Sequence, residues 1–261
     1  MTLVLEKQHA VVTGGGRGIG AAIARELARL GADVTVMGRD ESRLAKTVAE
    51  LGELGPGRFG RVRIDVTERP SVTHAFAQAR EQGGGIHILV NNAGAVESAP
   101  LVKADPNIWD RMIGLNLTAV YLCIHEVLPA MILARRGRII NVASTAGLRG
   151  YPYVAAYCAA KHGVVGLTRA LALEVAAQGV TVNAVCPGYT DTDLLGNSAE
   201  RVAAKTKRTP EEIRAEFLRQ VPQGRFVTPA EVGSMVGWLA QPAQQSITGQ
   251  AYVISGGEVM A

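Results

Sequence analysis

Residues 13–20 have the sequence Thr13-Gly14-Gly15-Gly16-Arg17-Gly18-Ile19-Gly20. They follow an apolar run at 9–13 that is typical of a buried strand, and they lead into residues 18–30, where apolar side chains recur at helical spacing. Glycines let the backbone turn sharply and approach a pyrophosphate, and the first turn of a helix offers free N–H groups and a positive dipole end. A glycine motif alone is a weak signal. Its position between a strand and a helix favours a dinucleotide-binding turn over a glycine-rich turn without a ligand. The predicted contacts are Gly14, Arg17, Gly18, Ile19 and Gly20.

The same strand-helix unit recurs along the rest of the chain. Further strands are predicted at 33–37, 61–64, 86–90, 138–142, 180–185 and 251–254, and further helices at 41–53, 70–82, 106–134, 154–177 and 229–240. Because parallel strands need crossovers, this pattern predicts an α/β chain with a single-domain Rossmann fold over residues 1–261, in which a seven-stranded parallel sheet carries helices on both faces.

One longer break interrupts the alternation after the sixth predicted strand. Residues 188–209 are polar and rich in Thr and Asp, and a short charged helix is predicted at 210–219. The carboxyl ends of the strands form the ligand side of an open α/β sheet. We therefore expect a mobile substrate lid at about 189–220.

Composition restricts the classes of function. The 261 residues are 48% hydrophobic but only 5% aromatic, and the formal net charge is +4 without a long run of like charges. These values argue against a nucleic-acid partner. Neither the histidines nor the three cysteines are spaced as metal ligands, so no metal site is predicted. From the pattern of apolar residues we expect neither a secretion signal nor a membrane-spanning segment, and therefore a cytoplasmic protein without a membrane partner.

The residues after the second predicted strand bear on the type of nicotinamide cofactor. NAD-binding folds usually place an acidic residue there to bind the ribose hydroxyls. This chain has Gly38 and Arg39, and Arg17 lies within the glycine turn. Two guanidinium groups suit a 2′-phosphate, so NADP(H) is predicted. If the strand extends by one or two residues, Asp40 could serve NAD(H), and this alternative stays open.

Candidate catalytic residues are spread along the sequence but converge on one edge of the predicted sheet. Tyr157 and Lys161 are spaced i and i+4 on a helix and therefore share a face. An ammonium group beside a phenol is expected to lower the pKa of the phenol from about 10 and make it usable as an acid or base. Ser144 follows the fifth predicted strand and can hold a substrate oxygen. Asn116, in the long helix, could orient a water molecule next to Lys161.

Together these motifs resemble the short-chain dehydrogenase/reductase family over nearly the whole chain. The matching positions are Thr13-Gly14-x-x-x-Gly18-x-Gly20, Asp65, Asn91-Asn92-Ala93-Gly94, Asn116, Ser144, Tyr157, Lys161, and Pro187-Gly188 followed by Thr190 and Thr192. Within the family, the pattern is similar to 3-oxoacyl-thioester reductases and to polyketide ketoreductases.

The resemblance implies a role for each matching position. Asn116, Ser144, Tyr157 and Lys161 would form a catalytic tetrad, with Tyr157 as the proton donor or acceptor and Lys161 also on the nicotinamide ribose. Asp65 and Val66 would contact the adenine end. Asn92, Ala93 and Gly94 would border the cofactor. The nicotinamide amide would be held by Pro187, Gly188, Thr190 and Thr192.

The predicted reaction interconverts a ketone and a secondary alcohol with NADP(H), and the small-molecule substrate is a 3-oxoacyl thioester of CoA or a carrier protein, or a related ketone. Arg135 matches a carrier-docking position of the family, but Gln178 departs from the other such position, which favours a CoA thioester or a free ketone. Two alternatives remain: an NAD(H)-dependent dehydrogenase of a hydrophobic or aromatic alcohol, and a non-catalytic cofactor-sensing protein. The resemblance also implies a homotetramer.

Overall fold

The computed structural model describes residues 3–260. Within that range, seven strands form one sheet: His9–Thr13 (β1), Asp33–Gly38 (β2), Phe59–Arg63 (β3), Ile88–Asn91 (β4), Gly137–Val142 (β5), Val180–Pro187 (β6) and Ala251–Ile254 (β7). Every neighbouring pair is parallel, in the order β3-β2-β1-β4-β5-β6-β7. The predicted seven-stranded parallel Rossmann sheet is therefore confirmed.

Helices connect the strands and cover both faces of the sheet. They are Gly18–Arg29 (α1), Glu41–Gly52 (α2), Arg69–Gly83 (α3), Pro106–Ile113 (α4), Ala119–Leu133 (α5), Ala155–Val175 (α6), Asp193–Ala203 (α7), Pro210–Arg219 (α8) and Pro229–Ala240 (α9). Helices α3, α5 and α6 pack on one face and α1, α2 and α9 on the other. Successive residues of a strand face opposite sides of the sheet. In β1, Val11 packs with the helices of the first face and Val12 with those of the second.

The sheet order places the ligand site. Strands β2 and β3 lie on one side of β1, and β4 to β7 lie on the other side, so the direction in which strands are added reverses between β1 and β4. At such a reversal the loops after neighbouring strands diverge and leave a crevice at their carboxyl ends. The glycine turn follows β1, and residues 92–95 follow β4, so both border this crevice.

Two predicted segments differ from the observed ones. The predicted helix 106–134 is interrupted by a π-helical turn, Gly114–Thr118, between α4 and α5. The predicted break at 188–209 contains α7, whose residues Leu195 and Ala199 are buried one turn apart. This burial stabilises a helix that the polar composition of the segment conceals.

The stretch Pro106–Leu133 is long and apolar enough to cross a membrane by length and composition alone. Much of its apolar surface faces the sheet, since Val120, Cys123, Val127 and Met131 belong to the buried core. Packing against the sheet accounts for the apolar character of this helix.

Candidate active site

The turn after β1 has the shape of a phosphate cradle. Gly14 and Gly18 adopt φ values of +65° and +52°, in the left-handed region that favours glycine. A Cβ atom on Gly20 would lie only 2.5 Å from the Asn92 Nδ2 atom. The first turn of α1 carries no acidic residue, and no side chain caps it. Its N–H groups are therefore available to an anion, and the turn fits a pyrophosphate.

The loop after β4 is attached directly to this turn. The Thr13 Oγ1 atom accepts hydrogen bonds from the backbone N–H groups of Asn92 (3.0 Å) and Ala93 (3.1 Å). The Asn92 side chain donates to the carbonyl groups of Thr13 (3.0 Å) and Gly14 (3.2 Å). These bonds hold the predicted cofactor-bordering residues 92–94 against the glycine turn.

The segment after β6 approaches the same turn from the opposite side. A Cβ atom on Gly18 would lie 3.4 Å from the Thr192 side chain, which is its nearest neighbour. Thr190 donates to the Gly188 carbonyl (3.0 Å), and Thr192 donates to the Thr190 carbonyl (3.3 Å). The predicted nicotinamide-binding residues 187–192 thus form a hydrogen-bonded strap across the crevice.

The end of β2 supplies cations rather than a free carboxylate. Arg39 is exposed and close enough to Asp65 to help lower the pKa of its carboxyl, although a hydrogen bond from Thr67 is the main cause. Asp40, the candidate for an NAD ribose contact, is the N-cap of α2. Its Oδ1 atom accepts from the backbone N–H groups of Ser42 and Arg43, both at 3.1 Å. The Asp40 carboxylate therefore caps the N-terminus of α2.

A third guanidinium group joins the two predicted ones. Arg43 packs beside Gly16, and its Nη1 atom lies 3.9 Å from Asp193 Oδ2, while Arg17 Nη1 lies 3.7 Å from the same atom. Sequence reasoning missed Arg43 because it lies beyond the expected strand end, inside α2. Its position four residues after Arg39 was the one sequence feature that could have indicated a second cation near Arg39.

Three of the four predicted catalytic side chains meet where β5 and α6 come together. The Ser144 side chain lies close enough to the Tyr157 hydroxyl to help lower its pKa. The Lys161 Nζ atom lies 5.7 Å from the centre of the Tyr157 ring, and Lys161 donates to the Val142 carbonyl at 2.8 Å. Lys161 is only 4% exposed. The i, i+4 spacing on α6 therefore places the ammonium group beside the Tyr157 ring.

The protonation state of Tyr157 differs from the sequence expectation. Burial raises the pKa of Tyr157 to about 12, and the nearby Ser144 side chain offsets only part of this effect. The expectation that Lys161 lowers the pKa of the phenol below 10 is wrong for this structure. Burial also lowers the pKa of Lys161 to about 8, and the ammonium group is directed to a backbone carbonyl rather than to the phenol oxygen.

Asn116 lies in the π-helical turn and contacts the loop after β4. It is fully buried; its Oδ1 atom accepts from the Ala95 N–H (3.3 Å), and its Nδ2 atom donates to the carbonyls of Ala95 (3.0 Å) and Met112 (3.1 Å). A Cβ atom on Gly94 would lie 2.8 Å from Asn116 Oδ1 and 3.8 Å from Lys161 Nζ. Gly94 thus lets Asn116 and Lys161 approach the same point, and π-helical turns often occur at functional sites.

Glu258 is a further polar residue near the site that sequence reasoning missed. It follows Gly256 and Gly257 after β7, and its side chain is only 1% exposed, between Gly188 and Tyr151. The sequence offers no signal for this placement, because nothing local shows that a glutamate near the chain end folds back to β6.

Comparison with known proteins identifies close relatives. A model described as short chain dehydrogenase matches residues 8–203. A granaticin polyketide synthase putative ketoacyl reductase of Streptomyces violaceoruber is 43% identical over 96% of this chain and 93% of its own length. A 3-oxoacyl-acyl-carrier-protein reductase of Vibrio cholerae is 39% identical over 98% of this chain and 99% of its own. The crystal structure of a single-residue variant of actinorhodin polyketide ketoreductase with NADPH superimposes with a TM-score of 0.92 at 38% identity, covering 96% of this chain and 97% of that one.

Proposed function

The chain belongs to the short-chain dehydrogenase family, and we propose that it is an NADP(H)-dependent reductase of a 3-oxoacyl thioester or a related ketone. As a member of this family it is an oxidoreductase that acts on ketone and alcohol groups. The proposal adds the cofactor preference, the substrate class and the residues that act.

The meeting of Ser144, Tyr157 and Lys161 at the crevice is the observation that carries the proposal. In our mechanism the Ser144 hydroxyl holds the oxygen of the substrate carbonyl. Tyr157 transfers its phenol proton to that oxygen as the carbon is reduced. Lys161 keeps its ammonium group 5.7 Å from the centre of the Tyr157 ring, where its charge offsets part of the penalty that burial imposes on the developing phenolate. A nicotinamide bound between the glycine turn and the strap would supply the hydride.

The preference for NADP(H) rests on charge and on the use of Asp40. Arg17 and Arg43 both lie near the Asp193 carboxylate beside the glycine turn, Arg39 lies near Asp65 after β2, and Asp40 is engaged in capping α2. Phosphate binds guanidinium groups strongly, and a ribose hydroxyl would need a free acceptor. The ketoreductase crystal structure reported with NADPH supports the same choice.

The substrate class is supported by the relatives and by the lining of the crevice. Both relatives described above are named as reductases of ketoacyl groups. On the lid side, the rings of Tyr189 and Phe217 stack with their centres 4.9 Å apart, and Tyr151 meets Tyr189 edge-on. This aromatic surface also favours a second candidate, an aromatic ketone of polyketide type.

Oxidation of NADPH by the purified protein tests the proposal. Acetoacetyl-CoA and a set of aryl ketones should be compared, each with NADPH and with NADH. We expect turnover of the thioester with a preference for NADPH. Turnover of aryl ketones alone would move the function to the second candidate. A preference for NADH would favour the NAD-dependent alcohol dehydrogenase, and cofactor binding without turnover would favour a cofactor-sensing protein.

A further inference from the structure

A cleft lies at the amino-terminal ends of β5 and β6, away from the catalytic residues. It has a volume of about 700 Å³, within the range of pockets that hold small organic ligands. Strand β5 has six residues and therefore spans about 20 Å, and Ser144 follows its other end. Exposed residues such as Gln245 and Ser246 line the cleft, so it is open to solvent. The cleft is thus separate from the crevice that borders the glycine turn.

Three arginines line this cleft without a carboxylate to balance them. They are Arg135, Arg136 and Arg138, and no described residue that lines the cleft is acidic. None of the three forms an ion pair within residues 3–260. The helices α5, α6 and α9 end beside the cleft, and each C-terminus carries about half a negative charge. These helix ends offset only about half of the three positive charges, so the cleft stays positive.

Arg138 is the arginine whose charge the protein balances least. It is 8% exposed, and it donates to the carbonyls of Gly137 (3.0 Å) and Pro242 (3.2 Å) through its two Nη atoms. Its Nε atom is buried and has no hydrogen-bond partner among the described residues. Burial and the nearby charge of Arg136 lower the pKa of Arg138. Because carbonyl groups are neutral, an anion in the cleft would stabilise this buried cation through its charge, without contact to Nε.

Arg136 is the arginine that a ligand can reach. It is exposed and lines the cleft, and its side chain lies close enough to Arg138 to help lower the pKa of that group. Arg135 differs, because its Nη2 atom donates to the Ala177 carbonyl at 2.8 Å, at the end of α6. The Arg136 guanidinium has no such bond among the described residues, so it can turn toward a ligand without breaking one.

Hydroxyl groups complete the donor set of the cleft. Thr181, Ser246 and Thr248 line it beside the arginines. The Thr248 Oγ1 atom accepts a hydrogen bond from the Val182 N–H at 3.0 Å, so its own hydrogen can be donated to a ligand. Guanidinium and hydroxyl donors around a positive cleft suit a phosphate group, which has several acceptor oxygens and a charge of about −2 at neutral pH.

We propose that this cleft is a second ligand site, which binds a phosphate group through Arg136 and the neighbouring hydroxyl groups while Arg138 supplies charge from the wall. A free phosphate ion and the phosphate of a nucleotide-sized molecule share this chemistry. The volume of the cleft favours the larger ligand. The inference does not rest on the proposed reductase function, because the cleft shares no residue with the crevice.

Isothermal titration calorimetry with inorganic phosphate, inorganic pyrophosphate and adenosine 5′-diphosphate tests the inference. Saturating NADPH is present in each titration, so that the glycine turn is occupied, and nicotinamide fluorescence shows whether a probe displaces it. We expect adenosine 5′-diphosphate to bind at least about tenfold more tightly than either inorganic ion, because it fills more of the cleft. Equal affinities of the three probes would assign the site to the free ion. Absence of binding by all three would overturn the inference.

Variants of the cleft have a matched control at an exposed arginine elsewhere. Arg136→Gln should weaken binding about tenfold, because it removes a charge-assisted hydrogen bond. Arg29→Gln removes the same charge from the exposed end of α1 and should change the affinity less than about twofold. Thr181→Val, which removes a hydroxyl group and keeps the shape of the side chain, should weaken binding about threefold. Equal losses in Arg136→Gln and Arg29→Gln would show attraction to the net charge alone and overturn the site.

The outcomes separate this inference from the proposed function. Turnover of ketones by Arg136→Gln should stay within about twofold of the unmodified protein, because Arg136 lies at the other end of the sheet. Absence of NADPH binding or of turnover would overturn the reductase function and leave the cleft to be tested. The unmodified protein and Arg136→Gln are then titrated without cofactor: a tenfold difference in phosphate affinity supports the second site, and equal affinities overturn it.

Discussion

At the scale of single residues, the protonation of Tyr157 determines which direction of the reaction the site favours. With a pKa raised to about 12, the phenol retains its proton at neutral pH. A protonated phenol is the form that reduction needs, because the carbonyl oxygen must gain a proton. Oxidation of the alcohol needs the phenolate, which is scarce under these conditions.

The two directions should therefore depend differently on pH. Between pH 6 and 7.5, Lys161 keeps its charge because its pKa is about 8. In this range the single-turnover rate of reduction should be nearly constant. The rate of oxidation should increase about tenfold per pH unit as the fraction of phenolate increases. Stopped-flow measurement of both directions checks this, and an oxidation rate that does not change with pH would contradict the assignment of Tyr157.

Removal of the Tyr157 hydroxyl should stop turnover and preserve binding. The Tyr157→Phe substitution removes the proton donor but keeps the ring that packs beside Lys161. We expect kcat to fall by about 10³-fold, as for the loss of a general acid, with the dissociation constant for NADPH changed less than about twofold. Steady-state kinetics and fluorescence titration measure the two quantities. Activity retained at the level of the unmodified protein would exclude Tyr157 as the proton donor.

At the scale of elements, helix α5 ends in a conformation that its sequence does not favour. Arg135 has a φ of +49°, in the left-handed region, and its N–H bonds to the Ile132 carbonyl at 3.0 Å. The N–H of Arg136 bonds to the Met131 carbonyl, also at 3.0 Å. These bonds define a Schellman motif with Arg135 in the position that glycine usually occupies.

Glycine at this position should stabilise the protein. Arg135→Gly removes the steric cost of a side chain in the left-handed region, but it also removes the hydrogen bond from the Arg135 guanidinium to the Ala177 carbonyl at 2.8 Å. After the added flexibility of the unfolded chain we expect a net gain of about 0.5 kcal/mol, and the melting temperature should rise by about 1–2 °C. Ala134→Gly is the matched control, because Ala134 has a helical φ of −74° and should lose stability on the same change. Equal effects of both substitutions would contradict this account.

The sequence predicts elements where the chemistry is local and fails where it depends on distant contacts. The glycine turn and the placement of Lys161 beside the Tyr157 ring both follow from short-range spacing. Their roles in cofactor binding and catalysis stay predictions. The π-helical turn around Asn116 could not be predicted, because it depends on hydrogen bonds to Ala95, on another loop. Glu258 and Arg43 were missed for the same reason, since tertiary packing brings both to the crevice.

At the scale of the whole molecule, the site depends on the order of strands rather than on any single segment. The glycine turn, residues 92–95, Ser144 and the strap 187–192 follow four adjacent strands, β1, β4, β5 and β6. Two histidines with lowered pKa values, His9 and His87, lie at the amino-terminal ends of β1 and β4, at the opposite ends of the strands from this site. The homotetramer stays a prediction that light scattering can test.

The two histidines should make the fold sensitive to acid. His9 is buried, with its Nε2 atom 2.9 Å from Thr35 Oγ1 and its Nδ1 atom 3.2 Å from the Gly84 carbonyl, and burial lowers its pKa below 6.5 despite nearby Asp33. His87 accepts the His9 backbone N–H at Nδ1, at 3.0 Å, so its protonation would break this bond; burial lowers its pKa too.

The sign of the effect follows from these directions. Above pH 6.5 both histidines are neutral in the folded and unfolded chain and do not change stability. Below pH 6.5 the unfolded chain takes up protons that the folded chain resists, so the free energy of unfolding should fall by up to about 1.4 kcal/mol per pH unit for each histidine.

Urea unfolding at pH 5.0, 6.0 and 7.5 measures the loss. His9→Gln should reduce the slope, and His74→Gln, which changes an exposed histidine, should leave it unchanged. A free energy of unfolding that is equal at pH 5.0 and 7.5 would show that the fold accommodates both charged imidazoles.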